Sequence, residues 1–135
     1  MPSNRPRVLV AIPERLFLDA TCWVLPVKYD IEVVGGATNR RDAVEIALTS
    51  KPDVALLDDR FASEDQPRLM QVLLERGIGA VILCRGCIDG IAQTALANPA
   101  VLLLSYNESF DDVVATIRSV AEQRLTRATA DDPRR

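Results

Sequence analysis

Five short apolar runs punctuate the chain at intervals of about 20 to 25 residues: Val8 to Ala11, Ile31 to Val34, Val54 to Leu57, Ala80 to Leu83 and Val101 to Leu104. Each is too short for a buried helix and reads as a strand. The last three show no inward–outward alternation, as expected of strands covered on both faces in a parallel sheet flanked by helices. Between the runs, apolar residues recur at helical spacing: Leu16, Ala20, Trp23 and Val24; Ala43, Ile46, Ala47 and Ser50; Leu69, Val72 and Leu73; Ile88, Ile91, Ala92 and Ala95; Val113, Val114, Ile117, Val120 and Ala121. This spacing assigns Trp23 to the core. The punctuation agrees with the division. Pro26 closes the first helix, Asn39 caps the second and Pro52 follows it. Gly77 and Gly79 end the third, Pro99 follows the fourth, and Ser109 with Asp112 opens the fifth. The pattern is an α/β (βα)5 unit with right-handed crossovers and one wound parallel sheet. It occupies residues 1–125. From Thr126 to Arg135 the periodicity is lost, and these residues read as a solvated linker or tail.

Composition narrows the picture. Aromatic residues make up 4% of the chain against 48% hydrophobic overall, so the core is built from Leu, Val, Ile and Ala, as in alternating strands and helices. A net charge of −3 gives no cationic face for nucleic acid, so any DNA contact belongs to another segment. The absence of histidine removes the commonest general base and metal ligand, and no catalytic residue is assigned; the chain is not expected to be an enzyme. Three cysteines, an odd number, and an N-terminus without an apolar segment indicate reduced thiols and a cytoplasmic protein. No apolar run approaches the roughly 18 to 20 residues that span a bilayer, so no membrane partner is expected.

The candidate chemistry lies at strand ends. The third run ends in Asp58-Asp59, whereas the first ends in Ile12-Pro13 and contributes no acid. Glu14 follows, read as a solvated acid at a helix N-terminus. Asp59 reads as a loop acid or a partner of Arg60. Cys84-Arg85-Gly86-Cys87 is a C-x-x-C at a strand end, where a helix dipole would lower a thiol pKa. Without histidine or a second cysteine pair it does not complete a zinc site; Cys84 and Cys87 remain a redox candidate. Gly35-Gly36 lacks the surroundings of a phosphate loop and reads as a tight exit from the second strand.

Asp30-Ile31-Glu32-Val33-Val34-Gly35-Gly36-Ala37, Ala43-Val44-Glu45-Ile46-Ala47 and Lys51-Pro52-Asp53-Val54-Ala55-Leu56-Leu57-Asp58 together closely resemble the receiver domain of bacterial response regulators, CheY-like and of the NarL/LuxR type. The resemblance implies a flavodoxin-like, doubly wound sheet of order 2-1-3-4-5, with ligand chemistry outside the carboxyl ends of the strands. It also implies two-component phosphorelay signalling controlling transcription, with a helix-turn-helix domain beyond this chain. In such domains the third strand ends in a phosphoacceptor carboxylate, acids after the first strand hold Mg²⁺, a hydroxyl residue ends the fourth strand and a lysine the fifth. By this resemblance Asp58 is the phosphoacceptor position. Ile12 and Pro13 stand for the metal acids, Cys84 for the hydroxyl residue, and Ser105 or Tyr106 for the lysine.

Mg²⁺ wants six oxygen ligands, and phosphoryl transfer depends on neutralising the equatorial oxygens. With Ile12-Pro13 in place of acids, weak or absent Mg²⁺ binding and a degenerate, phosphorylation-independent pseudo-receiver are expected. Three roles are open to Asp58: a working phosphoacceptor, a retained acid hydrogen-bonded to the following loop, or an anchor for a ligand in a vestigial pocket of Ile12, Pro13, Asp58, Asp59, Cys84, Ser105 and Tyr106. The reading is a homodimer paired through its first or last helix, contacting DNA through the C-terminal domain alone. Its alternatives are a phosphorylated receiver, a small-molecule sensor and a thiol switch.

Overall fold

A computed structural model of the chain describes residues 5–62, 68–85 and 99–130, with side chains described as far as residue 123. Five parallel strands, β1 (Arg7–Ala11), β2 (Glu32–Ala37), β3 (Val54–Asp58), β4 (Gly79–Cys84) and β5 (Val101–Ser105), form one sheet in the order β2-β1-β3-β4-β5. Helices α1 (Arg15–Tyr29), α2 (Arg40–Ser50), α3 (Arg68–Glu75) and α4 (Phe110–Ala130) cover its faces. The sheet is the expected one. The helix expected around Ile88 to Ala95 lies outside the described residues, as do Cys87 and the tail after Ala130.

Successive strand side chains point to opposite faces, so the apolar runs supply two cores. Leu9, Ala11, Ala55 and Leu57 pack with Ala43 and Ala47 of α2 and Leu69, Val72 and Leu73 of α3. Val8, Val10, Val54 and Leu56 pack with Leu18 and Leu25 of α1 and Val113, Ile117 and Val120 of α4. Burial on both sides explains the unbroken apolar runs of β3 and β4. Asn39 caps α2, its side chain accepting the Asp42 N–H at 2.9 Å, and the Ser109 hydroxyl accepts the Asp112 N–H at 3.2 Å.

The structure corrects three local expectations. Pro26 lies inside α1 rather than ending it; the helix stops at Asp30, which takes a left-handed conformation (φ 57°). One proline removes one intrahelical bond, and the packing of Leu25 and Ile31, both fully buried, carries the chain past it. Gly35 and Gly36 lie within β2, where the pairing with β1 skips a residue between Val8 and Leu9. There a Cβ on Gly35 would stand 2.9 Å from Ile46 of α2, and one on Gly36 3.0 Å from the sulfur of Cys22 in α1. The pair lets two helices approach one strand closely.

Trp23 is the third correction, since it is 66% exposed rather than core. Helix α1 is apolar on nearly every side, so its periodicity fits two phases. Leu18, Thr21 and Leu25 take the buried one, which leaves Leu16, Trp23 and Val27 outside. At the other end of the chain, α4 continues to Ala130, so the first residues after Leu125 extend a helix.

Candidate functional site

Parallel strands bring their carboxyl ends to one edge of the sheet. Asp58 ends β3 there, its side chain completely buried and in line with Val54 and Leu56. A lone buried carboxylate would be very costly, and the surrounding residues answer that cost. Its Oδ1 accepts the backbone N–H of Arg60 and the Arg60 Nε–H, each at 2.9 Å. Its Oδ2 accepts from a terminal nitrogen of Arg60 at 3.1 Å, from Arg85 at 2.8 Å and from the Tyr106 hydroxyl. Five donors therefore converge on two oxygens.

The arginines are held in turn. Arg60 leaves the sheet on the short 3₁₀ turn Asp59–Ala62, and the terminal nitrogen that bonds Asp58 Oδ2 also reaches Glu14 at 2.7 Å. Arg85 follows β4 directly, bonds the other oxygen of Glu14 at 3.0 Å and donates its backbone N–H to Asp59 at 3.1 Å. Its guanidinium lies 4.5 Å above the centre of the Tyr106 ring, a cation–π contact. Three carboxylates, Glu14, Asp58 and Asp59, thus enclose two guanidinium groups.

The electrostatics follow from these contacts. Burial pushes the Asp58 carboxyl up, but the Arg60 side chain, Tyr106, the Arg60 amide and Arg85 together outweigh it and hold the group well below the usual carboxylate range. Burial and the Asp58 carboxylate push the Tyr106 hydroxyl above its ordinary value, so it remains a donor. Asp58 is therefore charged at neutral pH, and its charge is met within the site.

The sequence-derived candidates divide accordingly. Asp58, Asp59 and Tyr106 join in one cluster. Ser105 does not: it is exposed, and its hydroxyl accepts the Asn107 N–H at 3.0 Å. At the fifth strand's end it is therefore Tyr106 that reaches the carboxylate. Ile12 is fully buried in the apolar core with Val8 and Val10, and Pro13 beside it is half-buried. Cys84 is half-buried, its sulfur 3.8 Å from the Ile82 carbonyl oxygen. Its proposed partner Cys87 lies outside the described residues.

Glu14 departs from the expectation of a solvated helix-end acid. It occupies the N-cap of α1 without making a side-chain cap, because its carboxylate bridges the two arginines. Sequence reasoning treated Arg85 as a spacer between cysteines and gave Arg60 only to Asp59. The signal it passed over was a cation just beyond each of two adjacent strands, beside an acid stripped of its metal partners.

These residues do not fit Mg²⁺. The oxygens a hard cation needs from Asp58 are engaged by fixed cations and a hydroxyl, and β1 offers no carboxylate. Among the described residues no group of three or more acidic, thiol or imidazole side chains is gathered closely enough to hold a metal ion. Nor is any described helix long and apolar enough to cross a membrane.

A five-stranded parallel sheet of this order is flavodoxin-like, the fold of receiver domains, and it carries an acid at the end of its third strand. Comparison with known proteins agrees. The transcriptional regulatory protein DesR of Bacillus subtilis is 26% identical over 113 residues, covering 84% of this chain and 57% of that protein. A protein-glutamate methylesterase/protein-glutamine glutaminase of Archaeoglobus fulgidus is 30% identical over 117 residues, covering 87% of this chain and 33% of that protein. The chain thus spans about half of one relative and a third of the other. Among solved structures, the signal receiver domain of the putative response regulator NarL from Mycobacterium tuberculosis superposes with a TM-score of 0.72 at 22% identity, over 87% of this chain and 97% of that one. No protein-family model matches the chain. The chain is a receiver (CheY-like) domain of the response-regulator kind, similar to those of NarL- and LuxR-type regulators.

Proposed function

We propose that this domain is a pseudo-receiver of a bacterial transcriptional regulator, working without phosphorylation and without catalysis of its own. The observation that carries the reading is the engagement of both Asp58 oxygens by Arg60, Arg85 and Tyr106. Phosphoryl transfer to an aspartate needs a free carboxylate oxygen as nucleophile and a cation on the transferred group. Here the cations neutralise the carboxylate itself, with Mg²⁺ binding weak or absent. The guanidinium groups give Asp58 the positive charge that a metal ion would otherwise supply. The domain is then held in one signalling state.

In this reading the output is self-association in a bacterial cytoplasm, with DNA contacted by a separate helix-turn-helix domain of the regulator. The exposed stripe of α1 supports it: Leu16, Trp23 and Val27 are 85%, 66% and 63% exposed, with Phe110 of α4 beside Leu16 and Trp23. Contiguous apolar surface of this kind marks an interface, and a second copy of the domain would place two DNA-binding modules in two-fold register. Sedimentation of the protein with and without Mg²⁺ and acetyl phosphate tests the proposal. The same monomer–dimer distribution is expected in both; a shift toward dimer that Asp58→Asn abolishes would overturn it.

A further inference from the structure

Leu16, Ala20, Trp23 and Val27 all stand exposed on α1, spaced four, three and four positions apart. That is the spacing of a coiled-coil seam, which draws one narrow apolar line along a helix. At about 100° per residue the line lies directly opposite Leu18 and Leu25, which α1 buries against the sheet. The seam therefore points straight away from the domain. It is uncharged: Asp19 flanks it and is held by Arg15 of the same helix at 3.3 Å. Size varies along it. Ala20 is the small residue, and around it Leu16, Asp19, Trp23, Val24 and Phe110 of α4 line an open groove.

We propose that a second copy of this chain fills the groove, with the two α1 helices antiparallel about a two-fold axis and the partner's Trp23 seated over Ala20. This rests on the self-association reading and adds its geometry. The sizes decide the direction. Run antiparallel, the seam meets itself as Leu16 against the partner's Val27 and Ala20 against the partner's Trp23, so every layer joins a larger side chain to a smaller one. Run parallel, Trp23 would abut the partner's Trp23 while the two Ala20 methyls faced each other across a gap, and both overpacking and voids are costly. Phe110 at the groove's edge offers the incoming indole a second ring to pack against. A two-fold contact uses the same patch on both copies, so a surface that complements itself in this way selects its own copy as partner.

Leu16 and Val27 lie eleven positions apart on one helix, about 16 Å, so their methyl groups touch only across a dimer. In a mixture of isotope-labelled and unlabelled chains, an intermolecular NOE between the Leu16 and Val27 methyls is expected, and none from Leu16 to the partner's Leu16. Size exchange at these exposed positions supplies a second measurement. Ala20→Trp sets two indoles in each central layer and Trp23→Ala leaves two methyls there, so each variant alone should dimerise about tenfold more weakly. An equal mixture of the two restores one large and one small residue per layer and should recover the wild-type affinity. Sedimentation of the same samples separates the two claims. A dimer without the Leu16 to Val27 contact, or a mixture no tighter than either variant, would overturn this pairing while leaving self-association standing. A chain that stays monomeric at every concentration would overturn both.

Discussion

Two regions of this domain invert the usual rule of burial. At the carboxyl edge of the sheet a charged aspartate is completely buried, while on the outer face of α1 Leu16, Trp23 and Val27 stand in solvent. The buried charge is satisfied within the domain, by two arginines and a tyrosine. The exposed apolar stripe has no such partner among the described residues. The contrast separates a site that has been closed from a surface that has been left open. In the function proposed above, the closed site is an input that has been fixed and the open surface is the output.

The largest effect is expected from stranding the buried charge. Replacing Arg60 and Arg85 together with Met should lower the unfolding free energy by about 3–5 kcal/mol, measured by urea denaturation, because it leaves an uncompensated carboxylate in the interior. Both arginines are about half exposed, which favours the lower end of that range. Adding Asp58→Asn to the double variant should restore much of the loss, since the amide needs no counter-charge. Unchanged stability of the double variant would reduce the cluster to surface decoration.

Tyr106→Phe removes one donor to a charged acceptor and should cost about 1.5–3 kcal/mol. A pH series sharpens the point. The folded-state pKa of Asp58 is depressed, so its contribution is complete above the unfolded value of about 4 and is lost as the pH falls below it toward the folded value. The stability difference between the wild type and Asp58→Asn should be flat from neutrality down to about pH 5 and shrink in more acid solution. A difference that changes around neutrality would place another titrating group in control.

At the other region the expected cost to stability is smallest. Leu16→Glu and Trp23→Glu should each change unfolding free energy by no more than about 0.5 kcal/mol, as exposed substitutions do, yet abolish self-association in sedimentation. Loss of stability without loss of association would show that the stripe packs inward after all.

The sheet was legible because strand periodicity and punctuation report the same thing. Unbroken apolar runs such as Val54 to Leu57 admit only a strand covered on both faces, and Asn39 and Ser109 mark helix starts through local chemistry. Helix α1 was harder to phase. With apolar residues all round, spacing selected Trp23 while packing selected Leu18 and Leu25, and only the position of the sheet decides between them. In the site, Asp58 could be placed from its strand end and Tyr106 only as one of two choices. Neither arginine could be brought to Asp58, because Arg60 and Arg85 are 25 residues apart and meet only where β3 and β4 lie side by side. Glu14 joined them for the same reason, from the end of β1, which pairs with β3 on its other side.

The most direct test of the central claim is mass spectrometry of the intact protein after incubation with Mg²⁺ and acetyl phosphate. Engagement of Asp58 by Arg60, Arg85 and Tyr106 predicts an unchanged mass. A phosphoryl increment that disappears in Asp58→Asn would contradict the account and make this domain a working phosphoacceptor.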